Sequence, residues 1–338
     1  MSKKISIIVP CYMVEEYIDR CAVSLLNQTI GLENLELIFI NDASPDNTLA
    51  KLLDYEKQYP ESIIIINSEE NLRQGGARNL GLQIASADYI GFIDADDWVE
   101  LTMFEKLYQK AITYDCDIVS CGSKRVFDES TPMGPTGYKD RFYIIDDATS
   151  RKDLLITGMG SGGGCARLYK KSLIQDNDIF FPEHLAYEDN FFGYLVEMYV
   201  KRIYLLEEDL YYYFINTEST TTTKGATHHF DRLTIELMKL EELKSRGLFE
   251  EYYEEHEYNF LLLFYLNTLH IIFTRFKSIP LDIVNTMRQE VLNNFPTYQS
   301  NPYTHKFLPE VYKILLDTIA TPMDQETWNQ LAEQYRSR

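Results

Sequence analysis

Apolar runs and polar breaks alternate with a steady beat over the first hundred residues. ISIIVP (5–10) is a short β-branched run, the pattern of a strand covered on both faces. Residues 14–28 place Tyr17, Cys21 and Leu25 at helical spacing, which predicts a first helix. LELIFIND (35–42) reads as a second strand, 46–59 as a second helix after Ser44-Pro45-Asp46, and SIIIIN (62–67) as a third strand. A third helix is expected at 76–86, preceded by Gly75-Gly76, before DYIGFIDADD (88–97) runs as a fourth strand into acid. This alternation predicts a parallel, doubly wound sheet, in which ligands bind beyond the carboxyl ends of the strands. Those ends are Pro10-Cys11-Tyr12, Asn41-Asp42-Ala43-Ser44, Asn67 and Asp94-Ala95-Asp96-Asp97.

The beat changes after residue 115. Short strands are expected at 117–121, 202–206 and 210–215, a helix near 188–199, and a Gly/Thr/Pro-rich loop at 128–139. The Thr-rich stretch INTESTTTTKGATHH (215–229) has no period. From about 230 the pattern is helical, with helices at 231–246, 281–294 and 306–320 and prolines as breakers. The segment Tyr258–Phe276 is apolar nearly all round, but Asn259, Asn267, His270 and Arg275 interrupt it, so a buried helix is expected and no transmembrane segment. Neighbouring helices can cover part of it, and the first domain or a second copy of the chain, a homodimer, the rest. Peripheral contact with the inner face of a membrane is the rival, opposed by the acids of 250–255.

Composition narrows the classes. Thirty-two basic against 52 acidic side chains give a net charge of −20, which argues against nucleic acid as a partner. Five cysteines, odd in number and without a CxxC pair, fit free thiols in a reducing cytosol. The run at 5–10 is too short for a signal peptide, so a cytoplasmic protein is expected.

The strongest chemical signal is Asp94-Ala95-Asp96-Asp97, because three carboxylates within four residues repel one another unless a cation sits among them. Oxygen-only ligands suit Mg²⁺ or Mn²⁺ and hence a phosphate-bearing substrate; an acidic turn capping the next helix is the plain alternative. Asp42 can accept the imide N–H of uracil or thymine, or form an Asx-turn. Gln74–Asn79 places glycines at a helix start, where N–H groups suit a diphosphate and Arg73 or Arg78 adds charge; an ordinary helix start looks the same. In Tyr187–Phe192, Asp189 is placed to act as a general base for a hydroxyl, or simply as a first-turn acid favoured by the helix dipole. His228 and His229 are adjacent and diverge, so at most one points at a site.

Taken in series, SIIVPCY, FINDASPDNT, NLRQGGARNLGL, YIGFIDADDW, ARLYKKSLI and YEDNFF resemble the successive motifs of the family 2 glycosyltransferases, over about residues 4–215. The resemblance implies an α/β GT-A nucleotide-sugar-binding fold, Rossmann-like with a mostly parallel sheet, and an appended C-terminal α-helical domain. It implies an inverting enzyme that uses Mn²⁺ or Mg²⁺ to move a sugar from a nucleotide sugar, with UDP the expected nucleotide. The acceptor would be a hydroxyl of a glycan, glycoprotein or lipid-linked molecule in surface polysaccharide synthesis. Residue by residue, the nucleotide-binding positions fall on Pro10, Tyr12 and Glu15, and the base-recognising one on Asp42. The glycine and arginine of the helix-opening pattern fall near Gly75 and on Arg78. The D-x-D pair falls on Asp94, facing ribose and metal, and Asp96, the direct metal ligand; the catalytic base falls on Asp189, beside Glu188. The chain departs from the pattern at Met13, where Asn is common, at Asn41, where an acid is usual, and at Ala43, where Gly is usual.

The implied organisation is a GT-A catalytic domain at 1–215, a flexible lid or linker at 216–229 and a structural helical domain at 230–338. A sugar nucleotidyltransferase would instead need a Gly- and Lys-rich phosphate loop after the first strand, where only CYMVEEYIDR stands. A non-catalytic sugar- or partner-binding relative would carry a broken D-x-D or E-D motif, and both are intact.

Overall fold

Unbroken β-branched runs bury the first two strands completely: β1 (Ile5–Cys11) and β2 (Leu35–Asn41) have every residue buried. With β3 (Ile63–Asn67) and β4 (Tyr89–Phe92) they form a parallel sheet in the order β3-β2-β1-β4. Helices α1 (Ile18–Leu26), α2 (Thr48–Gln58) and α3 (Arg73–Ile84) make the connections. The register sets Cys11 beside Asn41 and Asn41 beside Asn67, so the strand ends gather along one edge. The structure, a computed structural model, describes residues 2–128, 139–158, 164–215 and 225–337.

Beyond β4 the sheet is mixed. β8 (Arg167–Lys170) runs antiparallel to β4 and to β6 (Ile118–Val126), and β9 (Arg202–Phe214) runs parallel to β6. β5 (Trp98–Val99) and β7 (Arg141–Ile144) pair antiparallel with β9. Helices α4 (Met103–Tyr114), α5 (Ala148–Thr157), α6 (Lys171–Gln175) and α7 (Glu188–Tyr199) complete the first part of the chain.

Three of the differences from the sequence expectation have a plain local cause. The two strands expected at 202–206 and 210–215 are one, β9, because the acids between them sit in a bulge rather than a turn. Ser120 pairs with Leu205 and Gly122 with Asp209, so residues 206–208 face the single Cys121. Helix α3 begins at Arg73, three residues early, which puts Gly75 and Gly76 inside it. The helix expected at 306–320 is split by Leu308-Pro309 into α12 (Pro302–Phe307) and α13 (Glu310–Ala320).

The chain divides into two compact units, Met1–Arg151 with Met159–Asn216, and Lys152–Gly158 with Thr217–Arg338. The second holds α8 (Asp231–Ser245), α9 (Tyr253–Phe260), a π-helical turn (Leu261–Leu266), α10 (Asn267–Arg275), α11 (Leu281–Asn294), α12, α13 and α14 (Gln325–Arg336). Phe264, Tyr265, Leu269 and Phe273 are buried, and the Tyr265 hydroxyl lies 2.7 Å from Thr318 Oγ1. Among the described residues no helix is long and apolar enough to cross a membrane. All five cysteines are free. Of the segment expected to act as a lid or linker, 216–229, residues 216–224 lie outside the described residues, as does most of the 128–139 loop, while Thr227–Phe230 forms a 3-10 turn.

Candidate active site

The loops that follow β1 and β2 are laced together by side-chain bonds to consecutive backbone amides. Met13 N–H donates to Ser44 Oγ at 2.8 Å, Val14 N–H to Thr48 Oγ1 at 3.2 Å and Glu15 N–H to Asp46 Oδ2 at 3.1 Å. Glu15 returns the bond: its Oε2 accepts the N–H of Asn47 at 2.7 Å, at the N-terminus of α2. That oxygen helps to fix the start of α2. Pro10 is buried inside β1, whereas Tyr12 is 45% exposed, a ring offered to solvent where a base or ribose could stack. Met13 and Ala43 both stand at φ +54°, in the left-handed region that ordinary side chains avoid.

Asp42 is buried at the end of β2. Its Oδ1 accepts the N–H of Leu72 at 2.8 Å, so it also fixes the entry to α3. Burial pushes its carboxyl above the usual range, opposed by the amides of Leu72 and Arg73 and by His184.

The three carboxylates of the strand-four turn have three different settings. Asp94 faces partly outward and accepts from Arg78 Nη2 at 2.8 Å. Asp96 is pushed up to about 6 by burial and by its neighbour Asp94, while Arg20 opposes the shift. Arg20 also donates from Nη2 to the Asp96 carbonyl at 2.8 Å, and its guanidinium lies 3.8 Å from the Trp98 ring centre and 4.5 Å from that of Phe214. Asp97 is buried and structural: Oδ2 accepts from the Tyr211 hydroxyl at 2.6 Å and Oδ1 from Phe214 N–H at 2.7 Å. Burial, then Asp94 and Asp96, raise its carboxyl well above the usual range.

Opposite this turn stands the start of α7. Glu188 is buried and accepts from Arg78 Nη1 at 2.5 Å; burial raises its carboxyl and Arg78 works against that rise. Asp189 follows, half-buried, and its charge acts on both Arg78 and Glu188. Burial alone would lower the Arg78 guanidinium, but Asp94 and Glu188 hold it well above its ordinary value. The packing around the glycines and the arginine is tight. A Cβ on Gly75 would stand 2.2 Å from the Pro182 carbonyl oxygen, and one on Gly76 2.5 Å from Leu72 Cβ. These glycines, in the first turn of α3, permit close packing against Pro182 and Leu72, and Arg78 pairs with two carboxylates.

Among the described residues no group of three or more His, Cys, Asp and Glu side chains forms a metal cage. Asp94 and Asp96 still fit a hard cation as a pair of oxygen donors. The upward push of Asp94 on Asp96 is the repulsion that a cation would relieve, and Mg²⁺ or Mn²⁺ takes its other ligands from water and phosphates. Arg20, Asn79, Tyr211 and Phe214 were not singled out from sequence. Asn79 alone had a signal, as part of the NLRQGGARNLGL motif.

A Rossmann-like sheet with an acidic turn beyond its fourth strand, followed by a helical unit, defines a GT-A fold. The family model of glycosyl transferase family 2 matches residues 6–177, half of the chain, and the chain belongs to that family. It is 33% identical to the glycosyltransferase EpsJ of Bacillus subtilis over 209 residues, 61% of this chain and 60% of EpsJ. It is 30% identical over 201 residues to the poly(ribitol-phosphate) beta-glucosyltransferase of Bacillus spizizenii, 59% of this chain and 30% of that one. The match thus spans less than two thirds of either relative's own length. The structure of S. aureus TarS 1–349 in complex with UDP-GlcNAc is alike in fold, with a TM-score of 0.60 at 19% identity over 90% of this chain and 91% of that one.

Proposed function

We propose that the chain transfers a glycosyl group from a UDP-sugar to a hydroxyl of a glycan-type polymer, with inversion at the anomeric carbon and with Mg²⁺ or Mn²⁺ as cofactor. The observation that carries this reading is the ion-paired unit of Asp94, Arg78 and Glu188, which sets the D-x-D turn against the acidic start of α7. The TarS structure with UDP-GlcNAc supports the donor class, and the poly(ribitol-phosphate) relative supports a polymer acceptor. A catalytic domain at 1–215 and a helical domain at 230–338, in a cytoplasmic protein with free thiols, fit the same reading.

In this mechanism Tyr12 stacks on the nucleoside and Asp42 accepts from the base. Asp94 and Asp96 would hold the divalent ion, which when bound would supply positive charge against the departing diphosphate. Asp189 takes the proton of the acceptor hydroxyl as its oxygen attacks the anomeric carbon from the face opposite the leaving group. One displacement suffices, so no covalent nucleophile is required.

Nucleotide release from a panel of UDP-, GDP- and dTDP-sugars, with and without acceptor, tests the reading. UDP release that requires acceptor and stops in EDTA or in Asp96→Ala is expected. Asp189→Asn should bind UDP normally and lose about 10²–10⁴ in kcat. Undiminished transfer in EDTA would remove the metal, and a loss below about fivefold would move the base elsewhere.

A further inference from the structure

We propose that Arg78 is a positioning residue that joins the metal-binding and proton-accepting halves of the site, and not a ligand of the donor diphosphate; this rests on the glycosyltransferase reading. Its side chain is 4% exposed, and it lies behind the two carboxylates it bonds, Asp94 at 2.8 Å and Glu188 at 2.5 Å. Of the two, Asp94 is the more open, with 26% of its side chain exposed against 6% for Glu188. A phosphate could reach the guanidinium only by displacing one of them, and leaving a buried carboxylate unpaired is strongly unfavourable. The flat fork of arginine reaches both partners in one fixed geometry, which a lysine cannot do.

The helix that carries Arg78 grips the segment leading into α7 at two further points. Gly75 lets the Pro182 carbonyl approach where any side chain would collide. The Asn79 amide brackets Phe181, donating to its carbonyl at 2.8 Å and accepting its N–H at 3.0 Å. Phe181 in turn lies under the guanidinium, its ring centre 5.3 Å away. Three positions on α3 therefore fix residues 181–188, and the ion pair is the one that also touches the strand-four turn. Through Glu188 the arginine sets the direction in which α7 presents Asp189; through Asp94 it ties that direction to the donor side.

Arg78→Lys, Glu188→Gln and the double variant test this, with melting temperature, UDP and uridine affinity, and kcat at saturating donor measured for each. A positioning role predicts that Arg78→Lys and Glu188→Gln each lower kcat, the former by about 10²-fold, while UDP affinity moves by less than about threefold. The double variant should be no worse than the poorer single one, since both break the same connection. Weakened UDP binding with unchanged uridine binding in Arg78→Lys, or losses that multiply in the double variant, would overturn the proposal in favour of a direct phosphate contact. Should Arg78→Lys fail to fold, Glu188→Gln alone decides: kcat within about threefold of wild type overturns it. If the wild type transfers nothing, the glycosyltransferase reading has failed, and the UDP-against-uridine comparison still shows whether Arg78 touches phosphate.

Discussion

At the scale of single residues, Met13 and Ala43 show how a departure from a family pattern acquires a physical meaning. The sequence marks both as unusual, where Asn and Gly are the common residues. The structure supplies the reason, since both stand at φ +54°, a conformation that Gly adopts freely and Asn tolerates. This chain accepts the strain because the lacing of the two loops over-determines their backbone. Left-handed backbone costs about 1–2 kcal/mol, and a glycine adds about 0.5–1 kcal/mol of unfolded-state freedom. Ala43→Gly should therefore raise stability slightly, by roughly half a kcal/mol to one. Met13→Asn, at an exposed side chain, should act in the same direction. Thermal denaturation of the single variants checks this; a clear drop for Ala43→Gly would show that the methyl group contributes packing that outweighs the strain.

At the scale of elements, the first four strands were legible because a β-branched run buried on both faces has few other readings. Two boundaries were not. The acids Glu207-Glu208-Asp209 look like a turn, yet β9 passes straight through them by bulging against β6. The glycines that read from sequence as preceding a helix, Gly75 and Gly76, lie in the first turn of α3, where they also allow the close approach of Pro182 and Leu72. The second case makes a prediction. Gly75→Ala drives a methyl group to 2.2 Å from a backbone oxygen that cannot swing aside, so α3 or residues 181–188 must shift. A loss of about 1–3 kcal/mol is expected, with kcat falling more than UDP affinity. Equal losses in both would mean that the helix itself, not its grip on α7, is disturbed.

At the scale of the whole molecule, the site residues were legible as types but their partners were not. Arg20 meets Asp96, Tyr211 meets Asp97 and Arg78 meets Glu188 across long stretches of chain, and no local period encodes such meetings. The helical unit has a titration of its own. His256 is held down to about 4, chiefly by burial and also by Lys239, against the bond its Nε2–H donates to the Leu248 carbonyl at 3.1 Å. The unfolded chain therefore takes up this proton more readily than the folded one, and stability present above the ordinary histidine range is lost as pH falls from 6.5 towards 4. Melting curves of wild type and His256→Gln between about pH 7.5 and about pH 5 should converge on acidification, while parallel curves would assign the acid sensitivity elsewhere. The long strand β9 has a consequence for synthesis. Because Tyr211 and Phe214 anchor Asp97, and Glu188 completes the pairing of Arg78, a nascent chain has its four parallel strands well before it has a working acidic turn. Such a chain should gain its affinity for the donor late and abruptly, once residue 214 has left the ribosome, rather than by degrees as the sheet grows.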